Sequence, residues 1–181
     1  VLLVLNKDSR VVAVSANKKI RSSRNFGPTS LSSSSWNQKV VENAVRIAEA
    51  SKYIGPVGIQ FKFDPKTGEY KFLEVNGRFS VSVSLSQRCG VNLPLITYEV
   101  FTELNTISPL KDLRKKYKEN ILLWWPLDDA RLLIQKRFYK NPLKYIKSLF
   151  GKGYIIEPFS MKDPMPTFKL LLLPVMKKFI K

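Results

Sequence analysis

Glu74-Val75-Asn76-Gly77-Arg78-Phe79 sets a carboxylate, a carboxamide and a guanidinium at alternate positions. Alternate side chains of a β-strand share a face. On a strand, Glu74 and Asn76 therefore line one surface, joined by Arg78 if the strand runs that far. Carboxylate and amide oxygens are hard ligands suited to Mg²⁺, and a guanidinium suits a bidentate grip on phosphate. Together they supply what a Mg²⁺-nucleotide site requires.

Working outward, Val57-Gly58-Ile59-Gln60-Phe61-Lys62-Phe63 alternates apolar and polar residues, and Tyr70 to Asn76 forms a second strand-like run. Between them Asp64-Pro65-Lys66-Thr67-Gly68 has the residues of a hairpin turn. If Phe61 faces Leu73, then Ile59 faces Val75 and Gln60 faces Glu74. One face then carries Ile59, Phe61, Leu73 and Val75 as a core face, and the other carries Gln60, Glu74 and Asn76. A slip of one residue would scramble both faces. The same polar spacing also describes the solvated side of a half-buried sheet, so the flanking sequence has to decide.

Phe72-Leu73-Glu74-Val75-Asn76-Gly77-Arg78-Phe79-Ser80, followed by Cys89-Gly90-Val91-Asn92-Leu93-Pro94, resembles the ATP-grasp signature: a Glu-x-Asn-(Pro or Gly)-Arg-Phe strand end, a helix, then a Gly-Val-(Asn or Asp)-x-Pro turn. Upstream, Gly55-Pro56-Val57-Gly58-Ile59-Gln60 resembles the preceding strand of that fold. Arg21, Gly27-Pro28-Thr29-Ser30 and a helix from about Trp36 to Tyr53 also fit. The resemblance covers roughly residues 1–104 and is strongest to carbamoyl-phosphate-synthetase-like and carboxylate–amine-ligase-like members. It implies ATP as cofactor with Mg²⁺ or Mn²⁺ held by Gln60, Glu74 and Asn76, the neutral Gln60 being the weaker ligand. It implies that Arg78 contacts the transferring phosphoryl group or an acyl phosphate. It also brings Arg21 toward the phosphates or the carboxylate substrate, a solvated loop being the other reading of that segment. Gly77 departs from the Pro of many members, and Val81 and Val83 stand where a small or basic residue is common. The implied reaction activates a small carboxylate as an acyl phosphate for attack by an amine or similar nucleophile. Positioning and charge neutralisation would carry most of the rate.

The chain has 181 residues and no His, which excludes His-based triads and His-ligated zinc. Its single cysteine, Cys89, cannot form an internal disulfide and reads as a small buried hydrophobe. With no visible signal peptide, a cytoplasmic setting is expected. The sequence opens on Val1-Leu2-Leu3-Val4-Leu5, a strand followed by a hairpin turn at Asn6–Arg10 into Val11–Ser15. The expectation is a fragment of a longer protein whose Lys-bearing N-terminal lobe lies upstream, so that this chain alone is incomplete and inactive.

The formal charge of +17 is uneven: residues 1–105 hold 14 Lys and Arg against 8 Asp and Glu, and residues 106–181 hold 17 against 6. This shift, with Ser108-Pro109, places a boundary near Asn105, between the C-terminal part of an ATP-grasp domain (1–105) and a basic, mostly helical extension (106–181). In the first part, Ser30 to Ser35 reads as a loop with Ser35 capping the next helix. That helix has Val41, Ala44, Val45 and Ala48 as its buried stripe and Gly55 beyond its end. Further helices are expected at Ser82–Cys89 and from Leu95 to about Leu104. In the extension, Asp128-Asp129 and Pro142 are read as helix starts, and Trp124-Trp125 as packing residues. Phe168, Leu171, Leu172, Val175 and Phe179 fall at helical spacing among lysines. That segment either docks on the protein or contacts a membrane surface. The fold class is α+β, an antiparallel sheet with helices packed on one face. A non-catalytic basic module for nucleic acid or anionic membrane is the competing function, although the sequence carries no RNA-binding aromatic signature.

Overall fold

The computed structural model describes residues 1–22, 28–102, 114, 117–126, 128, 129, 143, 147, 153–157, 159, 162–167 and 169. By contact the chain divides into two units: Val1–Lys18 with Ser33–Ile121, and Lys19–Ser32 with Leu122–Lys181. The sequence boundary near Asn105 falls outside the described residues.

The first unit is built on an antiparallel sheet. Its strands are β1 (Leu2–Leu5), β2 (Val11–Ser15), β5 (Gly55–Asp64) and β6 (Glu69–Asn76), in the order β2-β1-β5-β6. The other strands are β3 (Asn17–Ser22), β4 (Thr29–Ser34), β7 (Ile121–Trp124) and β8 (Gly153–Ile156), which form a second sheet in the order β3-β4-β7-β8, mostly in the second unit. The helices are α1 (Gln38–Ala50), α2 (Val83–Arg88) and α3 (Leu93–Thr102). This is the α+β class expected.

Helix α1 presses Val41, Ala44 and Ala48 onto Leu3, Leu5, Val14, Val57 and Ile59, all buried, with Val45 partly so. Its N-cap is Asn37, whose Oδ1 accepts from the Val40 amide at 3.1 Å. Ser35 is not the cap: the helix begins at Gln38, and Ser35 lies two residues before Asn37 with its amide on the Ala16 carbonyl at 3.2 Å. Beyond α1 the left-handed position falls on Lys52 (φ 52°), whereas Gly55 (φ 104°) already opens β5. Burial of β1 and β2 is continuous rather than alternating. The intervening Leu2, Val4 and Ala13 are as buried as their neighbours, and α3 lies against the same two strands. Both faces are therefore covered at this end of the sheet. An unbroken apolar run such as Leu2–Leu5 signals burial on both sides.

Two further expectations change. The Ser30–Ser35 run is no loop: Thr29–Ser34 is strand β4, with Ser30, Ser32 and Ser34 buried. Small hydroxyl side chains fit a crowded strand, and Ser34 Oγ accepts from the Ile121 amide at 3.0 Å. Residues 106–181 also include strands, β7 and β8. The helices expected to start at Asp128-Asp129 and at Pro142, and the Phe168–Phe179 segment, lie outside the described residues for the most part. Helix α3 begins at Leu93, with Ile96 and Val100 half-buried, and Leu104 lies outside the described residues. No described helix is long and apolar enough to cross a membrane.

Candidate metal and nucleotide site

The β5–β6 hairpin positions the site. Its turn is closed by the Gly68 amide on the Asp64 carbonyl at 2.9 Å, with Gly68 at φ +68°. The Asp64 carboxylate accepts from the Lys66 amide at 2.9 Å and the Thr67 hydroxyl at 3.1 Å. The Lys66 amide above all, then Thr67 and the charge of Lys71, hold the Asp64 carboxyl below its usual range.

Pairing from the turn gives Asp64 to Glu69, Phe63 to Tyr70 and Phe61 to Phe72. The register then shifts between Gln60 and Phe61, after which Gln60 faces Glu74 and Ile59 faces Val75. The Phe61–Leu73 pairing is thus corrected: Leu73 is the extra residue of a β-bulge. Two constraints meet here. The turn and the aromatic pairs, with ring centroids 6.2 Å apart (Phe61–Phe72) and 5.2 Å apart (Phe63–Tyr70), fix the outer register; the sheet fixes the inner one. The apolar face is also narrower than expected. Ile59 is buried, but Leu73 and Val75 are 54% and 49% exposed, because β6 is the edge strand and α1 packs on β2, β1 and β5.

The polar face holds. Gln60 Nε2 donates to Glu74 Oε1 at 2.6 Å, and Asn76 Nδ2 donates to the same oxygen at 2.9 Å. Leu2 pairs with Gly58 and Gly58 with Asn76, so the trio lies on the face of Leu2, opposite the face of Leu3, Val57 and Ile59 that carries α1. The group is solvent-accessible, with Gln60 and Glu74 exposed. The two amides satisfy the carboxylate through their NH₂ groups. Half-turns about their terminal torsions, which are broad and two-fold, present their oxygens instead. The set is then one anionic and two neutral hard oxygens. That composition fits Mg²⁺, which keeps waters and shares substrate phosphates rather than filling an all-protein cage. Among the described residues no group of three or more His, Cys, Asp or Glu could hold a metal, so this mixed set is the candidate.

Arg78 does not extend the row. The strand ends at Asn76, and the Arg78 amide bonds back to the Asn76 carbonyl at 2.8 Å, a three-residue turn about Gly77. Its Nη1 donates to the Phe79 carbonyl at 3.3 Å, leaving an exposed guanidinium beside the trio in sequence but off its alternation. Arg21 belongs to the second unit. It sits in strand β3, not in a loop, and its fork grips the buried Asp129 (Nε to Oδ1 3.2 Å, with a second contact from Nη2 to Oδ2), while Trp124 Nε1 donates to Oδ2 at 2.7 Å. Asp129 was legible only as a helix-opening acid. Its role as counter-charge needed the three-dimensional pairing. Arg24 lies outside the described residues. Cys89 is buried, and burial pushes its thiol up, which suits packing rather than nucleophilic chemistry.

A β-hairpin presenting Gln, Glu and Asn, followed at once by Arg, is the arrangement that the ATP-grasp resemblance implied. Residues 3–120 match the family described as ATP-grasp in the biosynthetic pathway with Ter operon, and the chain belongs to that family. It is 44% identical over 52 residues to the carbamoyl phosphate synthase large chain of Methanothermobacter thermautotrophicus (29% of this chain, 5% of the relative). It is 24% identical over 151 residues to D-aspartate ligase of Enterococcus faecium (74% and 35%). Rhizobium etli pyruvate carboxylase shares the fold at TM-score 0.54 and 16% identity, over 67% of this chain and 13% of that one. The biotin carboxylase domain of thermophilic 2-oxoglutarate carboxylase, bound to ADP, does so at 0.50 and 16%, over 67% and 27%. The chain thus spans from a twentieth to about a third of the curated relatives it matches.

Proposed function

We propose that this chain supplies the metal-binding part of an ATP-dependent ligase that activates a small carboxylate as an acyl phosphate and passes it to an amine or similar nucleophile. The carrying observation is the convergence of Gln60 and Asn76 on Glu74 Oε1 at 2.6 and 2.9 Å, on an accessible sheet face. Family membership and the relatedness to D-aspartate ligase support the reading.

Glu74 is the anionic ligand for Mg²⁺ or Mn²⁺, with Asn76 and Gln60 adding neutral oxygens. When bound, the ion neutralises and orients the nucleotide phosphates. Arg78, beyond the strand end and with its guanidinium on the Phe79 carbonyl, turns that guanidinium toward a phosphoryl oxygen. None of these residues needs to form a covalent bond. Their work is placement and charge stabilisation.

The test is Glu74→Gln in the full-length protein. It removes the only negative charge of the trio while preserving shape. ATP turnover is expected to fall at least about 100-fold, in line with the loss of transition-state charge stabilisation, with the thermal unfolding midpoint unchanged. Turnover within about two-fold of the parent would refute the assignment.

A further inference from the structure

The backbone that aims Asn76 and Arg78 is held from the opposite face of the sheet. Tyr53 follows α1 and packs partly buried against the core beneath that helix. Its hydroxyl donates to the Gly77 carbonyl at 3.1 Å. The contact is close as well as polar: a β-carbon at 77 would stand 3.0 Å from Tyr53 Oη, 3.5 Å from Cζ and 3.6 Å from Cε2. On the other face the neighbouring strand also comes near. A β-carbon at Gly58 would meet Leu2 Cδ2 at 3.3 Å and the Arg78 carbonyl at 3.5 Å. The turn at 76–78 is thus held by Tyr53 from the α1 face.

We infer that Tyr53 is a positioning residue for the metal site, acting through Gly77. This rests on the metal reading of Gln60, Glu74 and Asn76. The Gly77 carbonyl lies in the peptide plane leading into Arg78, so its bond to Tyr53 fixes the direction in which Arg78 departs. The ring against the Gly77 Cα holds the backbone immediately after Asn76, and with it the Asn76 side chain on the polar face. A β-carbon at 77 would press on the Tyr53 hydroxyl, which would have to give by a few tenths of an ångström. The two positions therefore form one device, and their substitutions should not act independently.

The test is a double-variant cycle in the full-length protein, read as Mn²⁺–ADP affinity by titration calorimetry, with near-ultraviolet circular dichroism and the unfolding midpoint recorded alongside. Tyr53→Phe keeps the ring and removes the bond; an about 10-fold loss of affinity is expected, as for other groups that orient ligands from behind. Gly77→Ala is expected to cost a similar factor by displacing the hydroxyl. In the Tyr53→Phe background the nearest ring atom lies at an ordinary contact distance of 3.5 Å, so Gly77→Ala adds little there and the double variant binds like Tyr53→Phe alone. A purely structural role would move the unfolding midpoint and leave the affinity of the folded protein unchanged. Unaltered affinity in Tyr53→Phe, or a double variant about 100-fold weaker as independent factors multiply, overturns the inference. Glu74→Gln serves as the reference: if it leaves affinity intact, the metal reading falls and the inference with it; if it abolishes binding while the cycle is additive, the inference alone falls.

Discussion

Arg21→Met decides between two roles for one guanidinium. Arg21 holds Asp129 through two contacts, with side chains 13% and 1% exposed. Trp124 donates to the same carboxylate at 2.7 Å. Methionine keeps much of the stem volume and removes the charge, so the buried carboxylate loses this ion pair. Breaking such a pair from one side costs about 3–5 kcal/mol. The partial exposure of Arg21 and the remaining Trp124 donor place this case at the lower end, about 3 kcal/mol. With a urea dependence of about 2 kcal/mol/M for a chain of this size, the midpoint should fall by about 1.5 M. Replacing both partners by apolar residues, Arg21→Met with Asp129→Leu, should restore part of it, because a hydrophobic pair often matches a buried ion pair but the Trp124 indole N–H loses its acceptor. The assay is urea unfolding followed by tryptophan fluorescence, Trp124 being in the cluster, with Mn²⁺–ADP affinity measured on the folded variant. A midpoint within about 0.3 M of the parent, together with clearly weakened nucleotide binding, would refute the structural role and return Arg21 to the phosphates.

Tyr117→Phe tests the buried junction between β2 and β3. The Tyr117 hydroxyl donates to the Ala16 carbonyl, accepts from the Ala16 amide at 3.2 Å and lies 3.3 Å from Ser15 Oγ, while the ring packs on Trp36. The Ala16 carbonyl keeps the Ser35 amide, so the orphaned Ala16 amide dominates, and a loss of about 2 kcal/mol is expected, seen by calorimetry as a midpoint drop of about 6 °C. At the hairpin tip, Asp64 has its carboxyl held below 3.8. A depressed folded value means that its contribution is complete above the unfolded value and lost as pH falls through the folded one. The Lys66 and Thr67 amide resonances should therefore titrate below pH 3.8, and Asp64→Asn should abolish that step; a step above the ordinary value would contradict the geometry.

The polar face of the hairpin was legible because its information is local. Gln60, Glu74 and Asn76 sit two residues apart or directly across a strand pair, and only one register serves both faces. The bulge was not legible in the same way, since it arises from a conflict between two local rules: the turn length wants Phe61 opposite Phe72 and the sheet wants Gln60 opposite Glu74. Pattern-reading chose one register for the whole hairpin. The serine run failed for a different reason. Serine is weighted toward loops because its hydroxyl competes for backbone bonds, but in β4 the strand pairing supplies those bonds. Arg21 and Asp129, 108 positions apart, lie beyond any spacing rule.

The same separation of scales explains what kind of site this is. A strand end is a poor place to hold a metal ligand, because the last residues of an edge strand have partners on one side only. Here the β6 edge is exposed along nearly its whole length. The chain compensates at the point where chemistry would need it, by holding the Gly77 carbonyl with the Tyr53 hydroxyl from the α1 face. Glycine at 77 lets the Tyr53 hydroxyl come this close to the backbone. Rigidity at 76–78 and openness of the face above it are what a site must combine if it is to bind phosphates in a fixed direction and still admit a substrate.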